Sequence, residues 1–294
     1  MTMNYLKLTL LLIVFSVIAA PAASQEGVTR YVRFEHDEGI SRGVLKGDVI
    51  DELEGDDLFG DSSSTGRTFS LDSVHLVEPI DPSKVQKVIG IAINTLGAGR
   101  EEAVPHPRFF AKMPTSLGGP FDDVELPPEA GNLNYEGELV LVIGKKGRHV
   151  SEEDALDYIF GVTAGDDFSE NTWYGERNGV EEPTRFISKA TDSWAPIGPA
   201  IVTGIDYSDL EIITRLNGEI VQQGRTTELA NGVRNLISYI SRYVTLMPGD
   251  LIFTGTVARE QGSRRQMQAG DIVEVEIENI GLIRNTIVDM MSSN

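Results

Sequence analysis

The chain has 294 residues, a net charge of −20 and no cysteine. This length fits one large domain, or a large domain with a small one. The negative charge repels nucleic acid and anionic membrane surfaces, which bind through patches of lysine and arginine. Without cysteine, the chain has no disulfide bond, no thiolate metal site and no attachment through a lipidated cysteine. We therefore expect a globular protein without a nucleic-acid partner.

Residues 1–24 have the pattern of a signal peptide. Lys7 precedes an apolar stretch from Leu8 to Ile18, and the small residues that follow contain two segments, Ala20–Ala22 and Ala22–Ser24, that fit a signal-peptidase site. We expect export to the periplasm or the outside of the cell, followed by cleavage that leaves no membrane attachment. The alternative is an uncleaved anchor, which the short apolar stretch disfavours.

The rest of the chain is predicted to be mostly strands. Residues 25–82 would form a small β-rich amino-terminal domain with a hairpin around Lys46-Gly47, and residues 83–294 a larger catalytic domain. The absence of βαβ alternation favours an α+β fold over a doubly wound sheet. The elements predicted in the larger domain are strands over Val85–Ile93, Tyr135–Lys145, Leu251–Thr256 and Asp271–Val288, a hairpin over Leu210–Gln222 that turns at Asn217-Gly218, and a helix over about residues 228–243.

Glu136 and Glu138 are two residues apart in a predicted strand that is otherwise apolar up to Gly144. Alternate residues of a strand point to the same face, so both carboxylates project together. Buried like charges are costly unless a cation compensates them, and oxygen ligands favour Mg²⁺, Mn²⁺ or Ca²⁺ over Zn²⁺. The alternative is a pair that faces solvent or contacts arginine. Asp167, at a predicted strand end, would supply a third carboxylate and leave coordination positions open for substrate.

A 2-oxo acid could chelate such a metal through its carboxylate and its adjacent carbonyl oxygen. Lys189, in the segment Phe186–Asp192, would then supply a fixed positive charge for a developing enolate. The alternative is a surface lysine, which is the commoner position of this residue type.

Several motifs follow one another across residues 85–290. They are Tyr135-Glu136-Gly137-Glu138-Leu139, Asp166-Asp167-Phe168-Ser169, Lys189 with Thr191–Pro199, Asn217-Gly218-Glu219, Pro248-Gly249-Asp250, Thr254-Gly255-Thr256 and Gly281-Leu282-Ile283-Arg284-Asn285. In order and spacing they resemble the catalytic domain of the fumarylacetoacetate hydrolase superfamily. The resemblance implies a mixed β-sheet roll, usually a homodimer. In this fold a 2-oxo or enol acid chelates a magnesium, manganese or calcium ion.

The same resemblance implies roles for individual residues. Glu136, Glu138 and Asp167 would hold the metal, and Lys189 would be catalytic. Thr256 would hold the substrate carboxylate, with Lys112 and Gln222 as further substrate-binding residues. Members of the superfamily hydrolyse C–C bonds of acylpyruvate-type substrates, and others isomerise, decarboxylate, tautomerise or dehydrate related acids.

One departure affects the expected reaction. Hydrolases of the superfamily have a histidine followed three residues later by a glutamate, and here these positions hold Ala98 and Glu101. Alanine cannot activate water, so Glu101 would act alone, or His106 would assist from the same stretch. The alternative for His106 is an exposed loop histidine. The missing histidine favours reactions that need only a metal-stabilised enolate, namely decarboxylation, tautomerisation, isomerisation or dehydration, although C–C hydrolysis stays open.

Two further functions stay open beside a metal-dependent enzyme. One is an exported protein that binds 2-oxo acids at the metal site without turnover. The other is a scaffold with an inactive site, because a fold alone does not determine a function.

Overall fold

The fold is that of a computed structural model, which describes residues 27–96, 106–173, 175–177, 180–182, 185–258 and 266–290, with the backbone alone at 175–177 and 180–182. The predicted signal peptide over residues 1–24, Ala98 and Glu101 lie outside the described residues. Within them the chain forms twenty-one strands, two α-helices and six short 3-10 helices.

The secondary structure consists mainly of short strands. Strands β1 to β10 are Thr29–His36, Gly39–Lys46, Val49–Leu53, Ser64–Ser70, His75–Val77, Val88–Ala92, Arg108–Lys112, Leu117–Gly118, Val124–Leu126 and Leu133–Asn134. Strands β11 to β21 are Gly137–Ile143, Ile159–Asp166, Ser169–Glu170, Gly175–Arg177, Val180–Glu182, Ala195–Thr203, Glu211–Leu216, Glu219–Arg225, Leu251–Phe253, Ile272–Ile277 and Gly281–Asp289. Helices α1 and α2 are Phe186–Ala190 and Val233–Tyr243. The 3-10 helices are Leu71–Ser73, Pro82–Lys84, Pro114–Ser116, Ala155–Tyr158, Asn171–Trp173 and Thr226–Glu228.

Two large sheets make up the molecule. A twelve-stranded sheet has the order β4-β3-β2-β1-β16-β12-β11-β19-β6-β7, with β5 joined to β1 and β8 joined to β16, and a five-stranded sheet has the order β18-β17-β20-β21-β9. Most neighbours are antiparallel, while β19 runs parallel to β6, β8 to β16 and β9 to β21. This arrangement confirms the α+β, mixed-sheet fold. Because β1 pairs with β16, the amino-terminal strands continue the large sheet.

Strand β11 lies at the centre of the large sheet, between β12 and β19, and all seven of its residues are buried. On one face, Leu139 and Leu141 belong to a core that includes residues of α2 and of the five-stranded sheet. On the other face, Val140 and Val142 pack in a second core with residues of β16 and β19. Burial on both faces explains why the sequence of this strand is almost entirely apolar.

Gly137 allows the two sheets to approach closely at the start of β11. A Cβ atom at this position would lie 2.3 Å from Thr214 Oγ1 of β17 and 3.0 Å from a methyl group of Val275 in β20. These distances are too short for any side chain, so glycine is required. The glutamates on either side of Gly137 point to the opposite face of the strand.

The predicted helix and hairpin are present, with shifted bounds. Helix α2 begins at Val233, about one turn later than expected, because the amide of Asn231 donates instead to Asn94 Oδ1 at 2.8 Å. The turn between β17 and β18 has positive φ at Asn217 (52°) and Gly218 (81°), the conformation that the Asn-Gly signal predicts. No helix of the described residues is long and apolar enough to cross a membrane.

We expect Val142→Ala to lower the free energy of unfolding by roughly 2 kcal/mol, because the lost methyl groups leave a cavity between tightly packed strands. Val49→Ala is the matched control, since Val49 also lies in a strand but is 45% exposed and should cost less than about 0.5 kcal/mol. Urea denaturation of both variants measures the difference. Equal losses would contradict the central position of β11.

Candidate metal and substrate site

Three carboxylates converge where β11 begins and β12 ends. The two strands are antiparallel with Gly137 opposite Asp166, so Glu136 and Glu138 lie beside Asp167. Each of the three acids offers a carboxylate oxygen, and these oxygens all lie within 4.8 Å of one another. The structure thus brings together the acids that spacing and resemblance selected in the sequence.

Backbone contacts fix the relative positions of the two strand ends. The amide of Asp167 donates to the carbonyl of Glu136 at 2.9 Å, and the amide of Glu136 donates to Asp166 Oδ1 at 2.6 Å. Asp166 is buried and forms part of this connection between strands. Its neighbour Asp167 consequently has a side chain that points into the cluster of acids.

Glu138 is the more deeply buried of the two glutamates, with 2% of its surface exposed. Burial raises the pKa of Glu138 well above its usual range, and the charges of Asp167 and Glu136 raise it further. One of its oxygens, Oε2, accepts a hydrogen bond from the amide of Gly255 at 2.7 Å. Gly255 has φ of +97°, which other residues rarely adopt, so a glycine is needed to aim this amide at the carboxylate.

Lys189 provides positive charge at the site. Its Nζ lies 3.0 Å from Glu136 Oε2, makes a closer contact with Asp167 Oδ2, and lies 4.7 Å from the centre of the Phe110 ring. Burial alone would lower the pKa of Lys189, but the carboxylates of Asp167 and Glu136 raise it above the usual value. The side chain is only 3% exposed, so the surface alternative for this lysine is wrong.

Lys112 lies on the other side of Asp167. Its Nζ is 2.8 Å from Asp167 Oδ1 and donates to the carbonyls of Lys189 at 2.6 Å, Trp194 at 2.9 Å and Phe168 at 3.2 Å. Burial lowers the pKa of Lys112, and the charge of Lys189 lowers it further, while Asp167 opposes the change. Lys112 therefore anchors the segments that carry Asp167 and Lys189.

The residues present fit a divalent cation. Among the described residues, two ammonium groups face three carboxylates, and burial, followed by the charges of Asp167 and Glu136, raises the pKa of Glu138. All three candidate ligands are carboxylates, which Mg²⁺, Mn²⁺ and Ca²⁺ prefer. Glu136, with 24% of its side chain exposed, is the ligand nearest to solvent.

Thr256 and Gln222 lie next to the same strand. The hydroxyl of Thr256 donates to the carbonyl of Gly137 at 3.1 Å and accepts from Gln222 Nε2 at 2.8 Å. Gln222 is fully buried and donates also to the carbonyl of Val257 at 3.1 Å. Gln222 and Lys112 are therefore supports of the site in this structure, and their contact with substrate stays a prediction, as does that of Thr256.

Asn94 has a structural role that its sequence context does not predict. Its Nδ2 donates to the carbonyls of Thr254 at 2.7 Å and Asn231 at 3.0 Å, and its Oδ1 accepts from the amide of Asn231. Asn94 thus connects the loop after β19 to the segment before α2. A lone asparagine at the end of a predicted strand carries little signal for such a contact. His106 is exposed and stacks on Tyr239, as expected of a loop histidine.

We expect Lys112→Met to lower the free energy of unfolding by about 3 kcal/mol or more, because three buried carbonyls and one oxygen of Asp167 lose the ammonium group that Lys112 supplies. Lys46→Met is the control, because Lys46 is 68% exposed and its pair with Asp51 should contribute less than about 1 kcal/mol. Urea denaturation compares them. A small loss at Lys112 would contradict its role as an anchor.

Comparison with known proteins assigns the chain to a family. Residues 87–288 match the family model described as fumarylacetoacetate (FAA) hydrolase C-terminal, and residues 29–79 match the model described as Rv2993c-like, N-terminal. Human mitochondrial oxaloacetate tautomerase FAHD2A is 37% identical over 215 residues, which cover 70% of this chain and 68% of the relative. The Xenopus laevis mitochondrial oxaloacetate tautomerase fahd2 is 36% identical over 234 residues, which cover 76% and 72%.

Solved structures agree with this assignment. The 5-carboxymethyl-2-hydroxymuconate delta-isomerase from Mycobacterium smegmatis has a TM-score of 0.78 and 32% identity, with 89% of this chain and 100% of that chain covered. The fumarylacetoacetate hydrolase from Exiguobacterium antarcticum has a TM-score of 0.78 and 29% identity over the same shares. With a family model that matches more than half of its length, this chain belongs to the fumarylacetoacetate hydrolase family.

Proposed function

We propose that the protein is a divalent-metal-dependent enzyme that interconverts the keto and enol forms of a small 2-oxo acid, with oxaloacetate as the first candidate. The observation that carries the proposal is the buried ammonium of Lys189 in contact with two of three converging carboxylates. This arrangement brings candidate metal ligands and a buried positive charge together in one place, and such a charge stabilises an enolate that forms beside it.

A divalent ion held by Glu136, Glu138 and Asp167 would polarise the 2-oxo group of the substrate. The chain itself contributes three things. The amide of Gly255 holds Glu138 in position, Lys112 holds Asp167, and Lys189 supplies a buried ammonium group whose pKa is raised by the carboxylates of Asp167 and Glu136. A protonated lysine stabilises negative charge on an enolate oxygen without having to be reorganised during the reaction.

Two observations favour tautomerisation over hydrolysis. Keto–enol interconversion moves a proton between carbon and oxygen, so it needs no activated water, and the chain has Ala98 where a hydrolase would have its histidine. Relatives at 36–37% identity are named oxaloacetate tautomerases. Glu101 is the proposed proton-transfer group, by resemblance to the superfamily.

We also propose that the mature protein is an exported homodimer. The signal-peptide pattern of residues 1–24 supports export, and the resemblance to the superfamily supports the dimer. The named tautomerase relatives are mitochondrial, so export would give this protein a different compartment from theirs.

The test follows the ultraviolet absorbance of enol-oxaloacetate with purified protein and Mg²⁺ or Mn²⁺. We expect a catalysed loss of enol, and we expect Lys189→Gln to slow it by roughly 10²–10³-fold because the charge that stabilises the enolate is lost. In parallel, acetylpyruvate is followed by NMR. Acetate release without catalysed tautomerisation would make the protein a hydrolase, and tight oxalate binding without any conversion would make it a binding protein.

Metal dependence is tested separately. We expect Glu138→Gln to abolish binding of Mn²⁺ in a calorimetric titration, because a neutral amide replaces one of three charged ligands. Glu153→Gln is the matched control, since Glu153 is exposed and lies outside the cluster, and its Mn²⁺ affinity should equal that of the wild type. Unchanged affinity in the Glu138 variant would exclude the assigned ligands.

A further inference from the structure

Both carboxylate oxygens of Asp167 are in contact with ammonium groups. Lys112 Nζ lies 2.8 Å from Oδ1, and Lys189 Nζ lies against Oδ2. The same Lys189 ammonium is 3.0 Å from Glu136 Oε2. Two of the three proposed metal ligands therefore share one lysine. A divalent ion that coordinated Asp167 would lie close to both ammonium groups and would be repelled by them, so its binding favours the displacement of one of the two.

The contacts of Lys112 and Lys189 indicate which of the two ammonium groups leaves Asp167 when a metal binds. Lys112 donates to three backbone carbonyls in addition to its contact with Asp167, and its side chain is completely buried. Moving it would take this donor from all three carbonyls, and of these the carbonyl of Trp194 also accepts from the amide of Phe168 at 3.2 Å. The loss of a donor is costly in a buried place. Among the described residues, Lys189 Nζ contacts Glu136, Asp167 and the face of the Phe110 ring, and none of these contacts is a hydrogen bond to a neutral group.

We propose that Lys189 is an internal counter-cation that competes with the divalent ion for Asp167 and Glu136, so that metal binding frees the ammonium for the substrate. The inference rests on the proposed function, because it assumes that these acids bind metal. While the ammonium lies between the two carboxylates, its charge is neutralised and cannot stabilise an enolate. The Phe110 ring, already 4.7 Å from Nζ, offers the freed ammonium a favourable contact.

This competition makes the catalytic lysine dependent on the metal. A substrate that arrives before the metal meets a lysine held by Asp167 and Glu136, and the site does not act on it. The competition also weakens metal binding, since charge-assisted hydrogen bonds to two carboxylates must first be broken. Removing the ammonium should therefore tighten metal binding, which is the opposite of what a lysine with a purely structural role would produce.

The test is a calorimetric titration of Mn²⁺ into the wild type, Lys189→Met, Lys189→Arg and Lys146→Met. We expect Lys189→Met to bind Mn²⁺ roughly ten- to a hundredfold more tightly than the wild type. Lys189→Arg keeps the charge and should stay within about twofold to threefold of the wild type, as should Lys146→Met, which removes an exposed lysine.

The possible results separate this inference from the proposed function. Equal or weaker Mn²⁺ binding by Lys189→Met, with measurable binding by the wild type, would overturn the competition and leave the proposed function standing. A failure of the wild type and of Lys189→Met to bind any divalent ion would overturn both.

A second measurement uses the wild type alone, in case Lys189→Met does not fold. A lysine-specific acylating reagent is applied with and without saturating Mg²⁺, and the labelled sites are identified by mass spectrometry. We expect Lys189, which is 3% exposed, to be labelled at least several-fold faster with Mg²⁺, while Lys112 stays unlabelled and Lys146 reacts equally in both. Labelling of Lys189 that is unchanged or slower with Mg²⁺ would overturn the competition.

Discussion

The structure depends on the burial of negative charge at the end of its central strand. Glu138 lies in a strand that is buried on both faces, and Asp167 lies beside it with 1% of its surface exposed. Leaving such carboxylates without compensation would cost several kcal/mol each. The surrounding chain therefore supplies two lysine ammonium groups and the amide of Gly255, and even these leave the pKa of Glu138 raised. A divalent cation would meet the remaining demand for positive charge.

The groups that compensate the buried carboxylates come from distant parts of the sequence, and the fold has to bring them together. Lys112 belongs to β7 and Gly255 to the loop after β19, both strands of the large sheet that contains β11. Lys189 belongs to α1, which packs against β7. Gly137 allows the five-stranded sheet to press against the other face of the same strand.

Residue spacing in the sequence predicted those strands and turns that depend on residues close together in the chain. The Asn217-Gly218 hairpin, the apolar strand β11 and the shared face of Glu136 and Glu138 follow from residue spacing. Asp167 follows from its place at a predicted strand end, and the family resemblance supports it. Contacts between distant segments were not predictable in this way. The carbonyls held by Lys112, the connection made by Asn94 and the pairing of β1 with β16 join residues that are 56 or more positions apart, and neither periodicity nor composition reports such pairs.

Lys112 and Lys189 are both buried, but they have different roles because their contacts differ. Both are almost completely buried and both touch Asp167, yet the pKa of Lys112 is lowered and that of Lys189 is raised. Lys112 has neutral carbonyls as its other partners, so it acts as a fixed part of the framework. Lys189 has a second carboxylate, so it remains charged and can exchange that partner for another anion. An enolate is such an anion, and its stabilisation needs no water-activating base. A charge of this kind serves any reaction of a 2-oxo acid that passes through an enolate.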